Sequence, residues 1–485
     1  MEDLRDRTLR GGVAKLLGQA VGILVRLFFM VVLARLLAPS EFGLFAMVTA
    51  FTSLMAMLAA AGLSTAIVQS PDPTQAQLST LFWISMIIGA SFSAACFALG
   101  PLLAAFYGEQ RLLALTIALA PGFLFSAAGT VHLAILQRSL RYGALGIIEV
   151  SAQTLSLLTA TGIALAGHGY WALVGASLVL QATSCIGLWI MGGWRPLLHF
   201  VPTSVVRILR AGWVITLNTV VIYVGFNLEK ILIGRFWGAE ALGNYGRAQQ
   251  MISVPIDNLS NAVGAVAFSA LARLEDEPER QRRYFLHGYT LLASVSLPMT
   301  VFLGVFAKPI FQALFGPEWL EAAAIFQLLA PTVIVFSLAN PFDWLLLAKG
   351  RQARGLRISL VAAGLAMVAS LVGLPYGPQG VAIAFSVTMS LWFVPHIIWC
   401  AHGGPIAARD IIPALRGPVF ATLIAISAAM GVKLVIGSDL SPLLEVLLGG
   451  IVMLVVYAGM LLLALGQGAF YWGLIKSLRS QRPAI

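Results

Sequence analysis

The sequence predicts an all-α polytopic membrane protein of about 14 transmembrane helices, two six-helix lobes in a parallel pseudo-twofold repeat plus two extra C-terminal helices. Three observations carry that reading. Hydrophobic residues make up 59% of the 485 and charged residues only 10%, against roughly a quarter charged in a soluble protein. Apolar runs near the 20 residues needed to cross a bilayer fall at 13–37, 43–69, 78–105, 112–136, 144–166, 169–192, 208–236, 243–271, 284–307, 319–348, 356–375, 379–401, 411–436 and 442–466. The third observation is an internal echo about two hundred residues apart. Leu9-Arg10-Gly11-Gly12 returns as Leu209-Arg210-Ala211-Gly212, and Arg35, Gly43, Phe45 as Arg235, Gly243, Tyr245. Pro101 and Gly108 return as Pro309 and Gly316, and Leu119-Ala120-Pro121 as Leu329-Ala330-Pro331. If each unit crosses the bilayer an even number of times, the copies are related by an axis along the membrane normal.

The implied divisions are an N-lobe over 1–192, a linker over 193–207, a C-lobe over 208–402, spans 13 and 14 over 403–466, and a cytoplasmic tail over 467–485. Spans 13 and 14 have no partner in the repeat. The formal net charge of +10 raises nucleic acid as a partner, but the placement of the bases argues otherwise. With the N-terminus inside, only Arg35, Arg111, Arg235, Lys308 and Lys433 fall on the outer side, while inner loops and tails hold most of the rest. That is the bias that orients spans, so both termini are expected in the cytoplasm and nucleic acid has no role. Met1 to Arg10 is charged and leads into a full-length span, so no cleavable signal peptide is expected. Cys96, Cys185 and Cys400 lie far apart in apolar spans and read as small buried hydrophobes, with no disulfide or metal set.

In chain order, span 1 carries Lys15, Gly18, Gly22 and Arg26 on one helical face. Arg26 lies near the midplane by helical rise, where a charge is costly unless it faces protein or a wet cavity. Two readings stand: an anion ligand in a central cavity, or an ion pair that pins helices together. Arg35, Pro39 and Gly43 form an outer turn that Pro39 breaks, and Arg35 and Arg235 read as snorkelling or capping residues ahead of gate charges. Glu149, one turn into span 5, suits a helix N-terminus. Met191 to Pro202, with Gly192-Gly193 and two prolines, reads as the linker.

Polar residues collect in the second copy. In span 7, Asn218, Gly225 and Glu229 share a stripe, with Lys230 next. In span 8, Arg247, Gln250, Asp257 and Asn261 share another, whereas the matching Met47, Ala50, Met57 and Ala61 are apolar. Glu229 and Asp257 are candidates for binding a coupling proton or cation; mutual neutralisation with Lys230, Arg247 or Arg26 is the competing reading. The stretch Arg273 to Arg283 reads as a solvated mixed-charge loop. Asp343 reads as an interfacial partner for Lys349, Arg351 or Arg354, and the six histidines show no ligand spacing. No lysine follows a glycine, which excludes a Gly-Lys-Ser/Thr phosphate loop. His-Glu-x-x-His, Cys-x-x-Cys and Gly-x-Ser-x-Gly are absent as well, and no enzyme is expected.

The residues carry a family resemblance. Val32-Leu33-Ala34-Arg35-Leu36-Leu37-Ala38-Pro39-Ser40-Glu41-Phe42-Gly43-Leu44, Gly62-Leu63-Ser64 and Ile67-Val68-Gln69 resemble the polysaccharide-transport family of Wzx-type flippases, especially its colanic-acid-exporter-like branch. So do Asn227-Leu228-Glu229-Lys230-Ile231-Leu232-Ile233-Gly234-Arg235, Gly243-Asn244-Tyr245, Leu314-Phe315-Gly316 with Trp319, Ala339-Asn340-Pro341, and Leu347-Ala348-Lys349. The resemblance implies the fold of the multidrug/oligosaccharidyl-lipid/polysaccharide superfamily, two six-helix lobes around a cavity. It implies movement of an undecaprenyl-diphosphate-linked oligosaccharide across the bacterial cytoplasmic (inner) membrane for exopolysaccharide, capsule or O-antigen assembly. It also implies a cationic cavity for the diphosphate and an extra helix pair sheltering the lipid tail. Some superfamily members bind sodium through a carboxylate on span 7 with polar partners on spans 11 and 12. Here Glu229 lies on span 7, but the later spans offer only hydroxyls such as Ser359, Ser386 and Thr388, a departure from that pattern.

The resulting expectation is an alternating-access flippase with no cofactor beyond H+ or Na+ coupling. It is a monomer working among membrane lipids and passing its product to a polysaccharide polymerase and export machinery. Arg26 is the leading diphosphate contact, with Lys15, Lys230 and Arg247 behind it; Glu229, Asp257, Asn218, Gln250 and Asn261 are coupling or polar cavity candidates. The rival is a cation-coupled multidrug or small-molecule antiporter of the same superfamily. An exporter of cations needs a cavity dominated by acids and aromatics, and this chain has at least as many mid-membrane bases as acids.

Overall fold

A computed structural model describes residues 22, 25–60, 63–70, 73–198, 206–274, 276–436 and 441–464; the side chains of 206–218 and of most of 253–272 lie outside the described set. The apolar runs read from the sequence are helical over most of their described residues. In chain order the helices are α1 (25–36), α2 (Pro39–Ala60), α3 (Leu63–Gln69), α4 (Gln75–Tyr107), α5 (Arg111–Leu119), α6 (Pro121–Arg138), α7 (Tyr142–Leu165) and α8 (Trp171–Gly192). They continue as α9 (Val206–Arg273), α10 (Pro278–Val305), α11 (Ala307–Leu314), α12 (Leu320–Ala348), α13 (Gln352–Gly373), α14 (Gly377–Ala401), α15 (Ile411–Ile436) and α16 (Pro442–Gly459). Ten helical stretches among the described residues are long and apolar enough to cross a bilayer, and one of them, Gln352–Ala401, is α13 and α14 joined by a tight turn.

The breaks have local causes. Thr74 accepts from the Gln77 N–H at 3.3 Å while Gln77 accepts from the Thr74 N–H at 2.9 Å, a reciprocal cap that starts α4. Gly108, at φ 72°, ends it. The run read as one span at 112–136 is two helices, because Pro121 lacks the N–H needed to continue α5. Conversely, the runs at 208–236 and 243–271 form α9, 68 residues interrupted at Gly238. At 1.5 Å per residue an uninterrupted helix of that length would be about 100 Å long, so the break is what lets both parts fit a bilayer. Its φ of 84° and ψ of −176° suit a residue without Cβ.

The distribution of polarity is that of a lipid-solvated protein. Leu391, Ile190 and Leu463 are more than two-thirds exposed, while Thr116, Ser296 and Ser370 are fully buried. Among those hydroxyls, Thr116 donates to the Leu112 carbonyl at 2.6 Å and Ser370 to that of Ala366 at 2.8 Å. These two buried hydroxyls meet the backbone while apolar side chains such as Leu391 and Leu463 face outward, as hydrocarbon solvent allows.

Two compact units divide at Gly246/Arg247. In the first, α6 packs against both α4 and α8, and α7 pairs with α8. The stretch after α8 is held down: Leu197 donates its N–H to Ser79 Oγ at 3.0 Å, and Trp83 Nε1 donates to the Leu197 carbonyl at 3.0 Å. His132 bonds the Trp194 carbonyl at 3.2 Å and lies 4.5 Å from the Trp189 ring. This unit also contains a reciprocal crossing. A Cβ added at Gly43 would lie 1.7 Å from the Ala239 carbonyl oxygen, and one at Gly243 would lie 1.8 Å from that of Pro39. Pro39 and Gly43 are the repeat equivalents of Ala239 and Gly243, so each copy's glycine receives the other copy's backbone.

In the second unit α10 contacts α12 and α15, and α14 packs against α12 and α13. The pair α15 and α16 closes over Phe306 with Ala421, Ala425 and Ala429 fully buried, and Tyr457 donates to the Ser294 carbonyl at 2.8 Å. Lys433 pairs with Glu445 at 2.7 Å. The stretch read as solvated charge is only partly so: Arg282 grips Asp410 through two bonds of 3.1 and 2.9 Å, tying the start of α10 to the start of α15. Arg351 and Arg354 also depart from expectation. They donate to the His402 and Gly403 carbonyls rather than to Asp343, which satisfies the end of α14.

The reciprocal crossing leaves no room for a side chain on either glycine. Gly43→Val and Gly243→Val are each expected to destabilise the protein by about 1 to 3 kcal/mol, read as a fall in melting temperature and in membrane-inserted protein, whereas Gly246→Ala, beside open space, should leave both near the wild type.

Candidate functional site

The clearest polar concavity lies within the first unit. A cavity of about 560 Å³ is lined by Arg26, Gln137, Tyr142, Glu149, Gln153 and Ser184, among others. A second, of about 410 Å³, shares Leu133, Leu180, Ser184 and Leu188 with it and adds Ser64, Ser126 and Thr130. Arg26 reaches this wall from α1 and Glu149 from α7. Their closest atoms are 3.7 Å apart, with side chains 58% and 50% exposed. That separation is too long for a strong hydrogen bond, and an exposed pair of this kind contributes little. Gln153, one turn after Glu149, donates to it at 3.1 Å. Glu149, read from sequence as a helix-end acid, therefore faces Arg26 across the cavity.

The other candidates are distributed differently. Lys230 is half-buried and donates to Asn227 Oδ1 at 2.7 Å within its own helix, and Glu229 is 1% exposed. Arg247 is 4% exposed, donates to Gln250 at 2.7 Å, and sets its guanidinium 5.1 Å from the Trp319 ring centre and 5.7 Å from that of Phe315. It sits in an aromatic pocket in which the cation is held by ring faces. Lys15 and the side chains of Asn218, Asp257 and Asn261 lie outside the described residues. Arg235 lies over Phe106 at 5.7 Å and Phe236 at 5.8 Å, in keeping with an interfacial arginine.

Two groupings were missed by the sequence reading. Glu149 and Gln153 stand four apart on one face of α7, a spacing that signals a shared polar stripe. In the second unit Asp343, His396 and Cys400 converge, and His396 and Cys400 likewise stand four apart.

Comparison with known proteins places this geometry. The sequence matches the family described as polysaccharide biosynthesis protein over residues 32–324. The chain belongs to that family. Its relatives include the teichuronic acid biosynthesis protein TuaB of Bacillus subtilis (strain 168), 32% identical over 292 residues, 60% of each protein. They also include the lipopolysaccharide biosynthesis protein WzxC of Escherichia coli (strain K12), 27% identical over 389 residues, 79% of this chain and 78% of that one. The fold is similar to the lipid II flippase MurJ in an inward closed conformation, with a TM-score of 0.74, 14% identity, and 96% of this chain and 100% of that one covered. An inward-facing multidrug resistance transporter of the MATE family superposes with a TM-score of 0.62 at 15% identity, covering 81% of this chain and 95% of that one.

This member of the polysaccharide biosynthesis family is therefore all-helical, with ten helical stretches among the described residues long and apolar enough to cross a membrane, and its fold is similar to those of a lipid II flippase and of a transporter of the MOP superfamily. Arg247→Ala empties the family member's aromatic pocket of its cation. It is expected to lower folding stability by about 2 kcal/mol, measured as melting temperature in detergent, with Arg247→Lys falling between the two.

Proposed function

We propose that the protein carries an undecaprenyl-diphosphate-linked oligosaccharide repeat unit from the inner to the outer leaflet of the bacterial cytoplasmic membrane. The observation that carries this reading is Arg26, a guanidinium on a cavity wall whose one nearby carboxylate among the described residues is 3.7 Å away. A guanidinium presents five donors in a planar fork that fits phosphate oxygens in pairs, and this fork is not engaged by a close bidentate acid. The cavity's remaining polar lining, Gln137, Gln153 and Ser184, consists of hydrogen-bonding groups of the kind that recognise sugar hydroxyls. Family membership, and relatives whose names point to teichuronic acid, lipopolysaccharide and succinoglycan synthesis, support a glycan cargo.

In this proposal transport proceeds by alternating access between two six-helix lobes, 1–192 and 208–402, within a fourteen-span chain whose termini are both cytoplasmic. The linker is 193–207, and spans 13 and 14, over 403–466, shelter the lipid tail. The reciprocal crossing of Gly43 and Gly243 supports a parallel relation between the copies, since a twofold axis makes each partner contact the other's equivalent residue. The protein acts as a monomer and delivers the repeat unit to polymerisation and export machinery.

Arg26→Ala should abolish polymer export while membrane protein level and melting temperature stay near the wild type, and Arg26→Lys should retain part of the activity because a point charge replaces a fork. Analysis of surface polysaccharide and of lipid-linked intermediates reads the outcome. A stable Arg26→Ala protein with full export overturns the assignment. A poorly folded Arg26→Ala protein rescued by Glu149→Gln assigns the pair to structure instead.

Coupling is proposed to run through Glu229, whose burial makes its charge sensitive to a bound proton or sodium ion. Glu229→Gln should weaken transport and flatten its dependence on pH or sodium, assayed in proteoliposomes; an unaltered ion dependence rejects coupling at this residue.

A further inference from the structure

We propose that Asp343, His396 and Cys400 form a binding site for a borderline-soft divalent metal ion, of which zinc is the type. The three side chains each offer one ligand atom, and those atoms all lie within 4.8 Å of one another. His396 Nε2 stands 3.6 Å from Asp343 Oδ1, beyond hydrogen-bond range, and it makes no hydrogen bond among the described residues although it is buried. Cys400 is 2% exposed. A buried imidazole nitrogen stands near a carboxylate at a separation too long for either to satisfy the other, with a third metal-ligating atom, the Cys400 sulfur, close to both. Tetrahedral zinc bonds nitrogen and oxygen at about 2.0 to 2.2 Å and sulfur at about 2.3 Å, which places neighbouring ligand atoms a little over 3 Å apart. Closing the three ligands onto an ion therefore needs only a modest contraction.

The helices are arranged for it. His396 and Cys400 are one turn apart on α14, so they project from the same face. Ser386 of α14 donates to the Leu328 carbonyl of α12, which fixes the contact between the helices. Pro341 and Pro395 lie beside the ligands inside α12 and α14; each removes a backbone hydrogen bond and loosens its helix locally. The site lies in the last turns of both helices, where the carbonyl ends of the helix dipoles favour a cation. Of the basic groups at this end, Arg351 and Arg354 are engaged by the His402 and Gly403 carbonyls.

The donor set selects the ion. Thiolate and imidazole favour zinc, cobalt or copper, and disfavour magnesium and calcium, which want oxygen alone. The Asp343 side chain is 45% exposed, so with three protein ligands a fourth position stays open to water. Binding releases the Cys400 thiol proton to solvent. The ion would cross-link the ends of α12 and α14, two helices otherwise joined there by packing. This site is independent of the cargo assigned above, and its test uses no transport assay.

The full-length protein, purified in detergent, reduced and stripped with chelator, is titrated with Co2+ and then Zn2+. The expected result is one Co2+ per chain with a sulfur-to-cobalt charge-transfer band in the near ultraviolet, abolished by Zn2+. Cys400→Ser should remove the band, and His396→Gln and Asp343→Asn should each weaken zinc binding at least about tenfold, the least that even supporting residues of metal sites commonly cost. Cys96→Ser and Cys185→Ser should leave the band unchanged. Elemental analysis gives the stoichiometry, and melting temperatures without metal identify any variant that has lost its fold. Absence of the charge-transfer band in the wild type, or its persistence in Cys400→Ser, overturns the site. If Cys400→Ser misfolds, retention of wild-type zinc affinity by the folded Asp343→Asn and His396→Gln proteins overturns it as well.

Discussion

The backbone crossing at Gly43 and Gly243 is the constraint on which the arrangement of the first unit turns. Two chains pass so closely there that a methyl group on either glycine would sit within covalent range of a carbonyl oxygen. At this separation what remains is backbone against backbone, a geometry seen wherever helices in lipid approach through small residues. The crossing lies one turn into α2 and just past the break in α9, so it fixes where two long helices begin. The two copies reach it by different means. Pro39 ends the first helix because it has no N–H to give, while Gly238 interrupts α9 by adopting a positive φ. Equivalent geometry from unlike residues marks the turn itself as what the duplication preserves.

From those starts, lipid as solvent explains most of the rest. The energetic gain from hiding leucine is lost when the solvent is itself hydrocarbon, so leucines such as Leu33 and Leu81 lie fully buried while Leu391 and Leu463 face outward, and buried hydroxyls such as Thr116 and Ser370 return to the backbone one turn earlier. Larger side chains are buried where they fill a specific gap, as Phe306 does beneath the alanine face of α15. Aromatic residues gather at span ends: Phe82, Trp189 and Trp194 surround His132 and pin the stretch after α8. That is where amphipathic rings are favoured.

The same physics determines what could be read in advance. A span must be apolar over a fixed length, so each run was legible from composition alone, and most helix breaks were legible from Pro or Gly. The split at Pro121 was not, because whether a proline ends a helix or only kinks it depends on what packs alongside, whereas the two runs either side of Gly238 were read as separate and are parted there by a non-helical residue. Side-chain partners were harder still. Glu149 reads as a helix-end acid in its own sequence neighbourhood, and only the packing of α1 against α7 brings it to Arg26. Asp343 has three bases a few residues on, yet two of them, Arg351 and Arg354, end on carbonyls beyond α14, and its neighbour is His396, more than fifty positions away. The spacing of His396 and Cys400 was present in the sequence, but a pair of donors one turn apart means little until a third arrives from another helix.

The bases that the sequence places within spans show how burial sorts charges that sequence leaves equivalent. Arg247 is enclosed by Trp319 and Phe315 and tied to Gln250; Lys230 is tied to Asn227; Arg26 alone of the three keeps an exposed fork beside a distant acid. Their places in the repeat sharpen the contrast. Positions 26, 29, 30 and 47 correspond to 226, 229, 230 and 247, and the pairs are Arg26 with Phe226, Phe29 with Glu229, Met30 with Lys230, and Met47 with Arg247. Each charge is therefore kept in one copy and replaced by an apolar residue in the other. A duplicated unit that bound two like ligands, or a symmetric one, would have reason to keep both. Arg26 in the first copy of the repeat is exposed, whereas in the second copy Glu229 and Arg247 are buried and Lys230 is half-buried. In lipid an unmatched charge is expensive, and the diphosphate contact proposed for Arg26 would offset that cost at the one exposed member of the three bases.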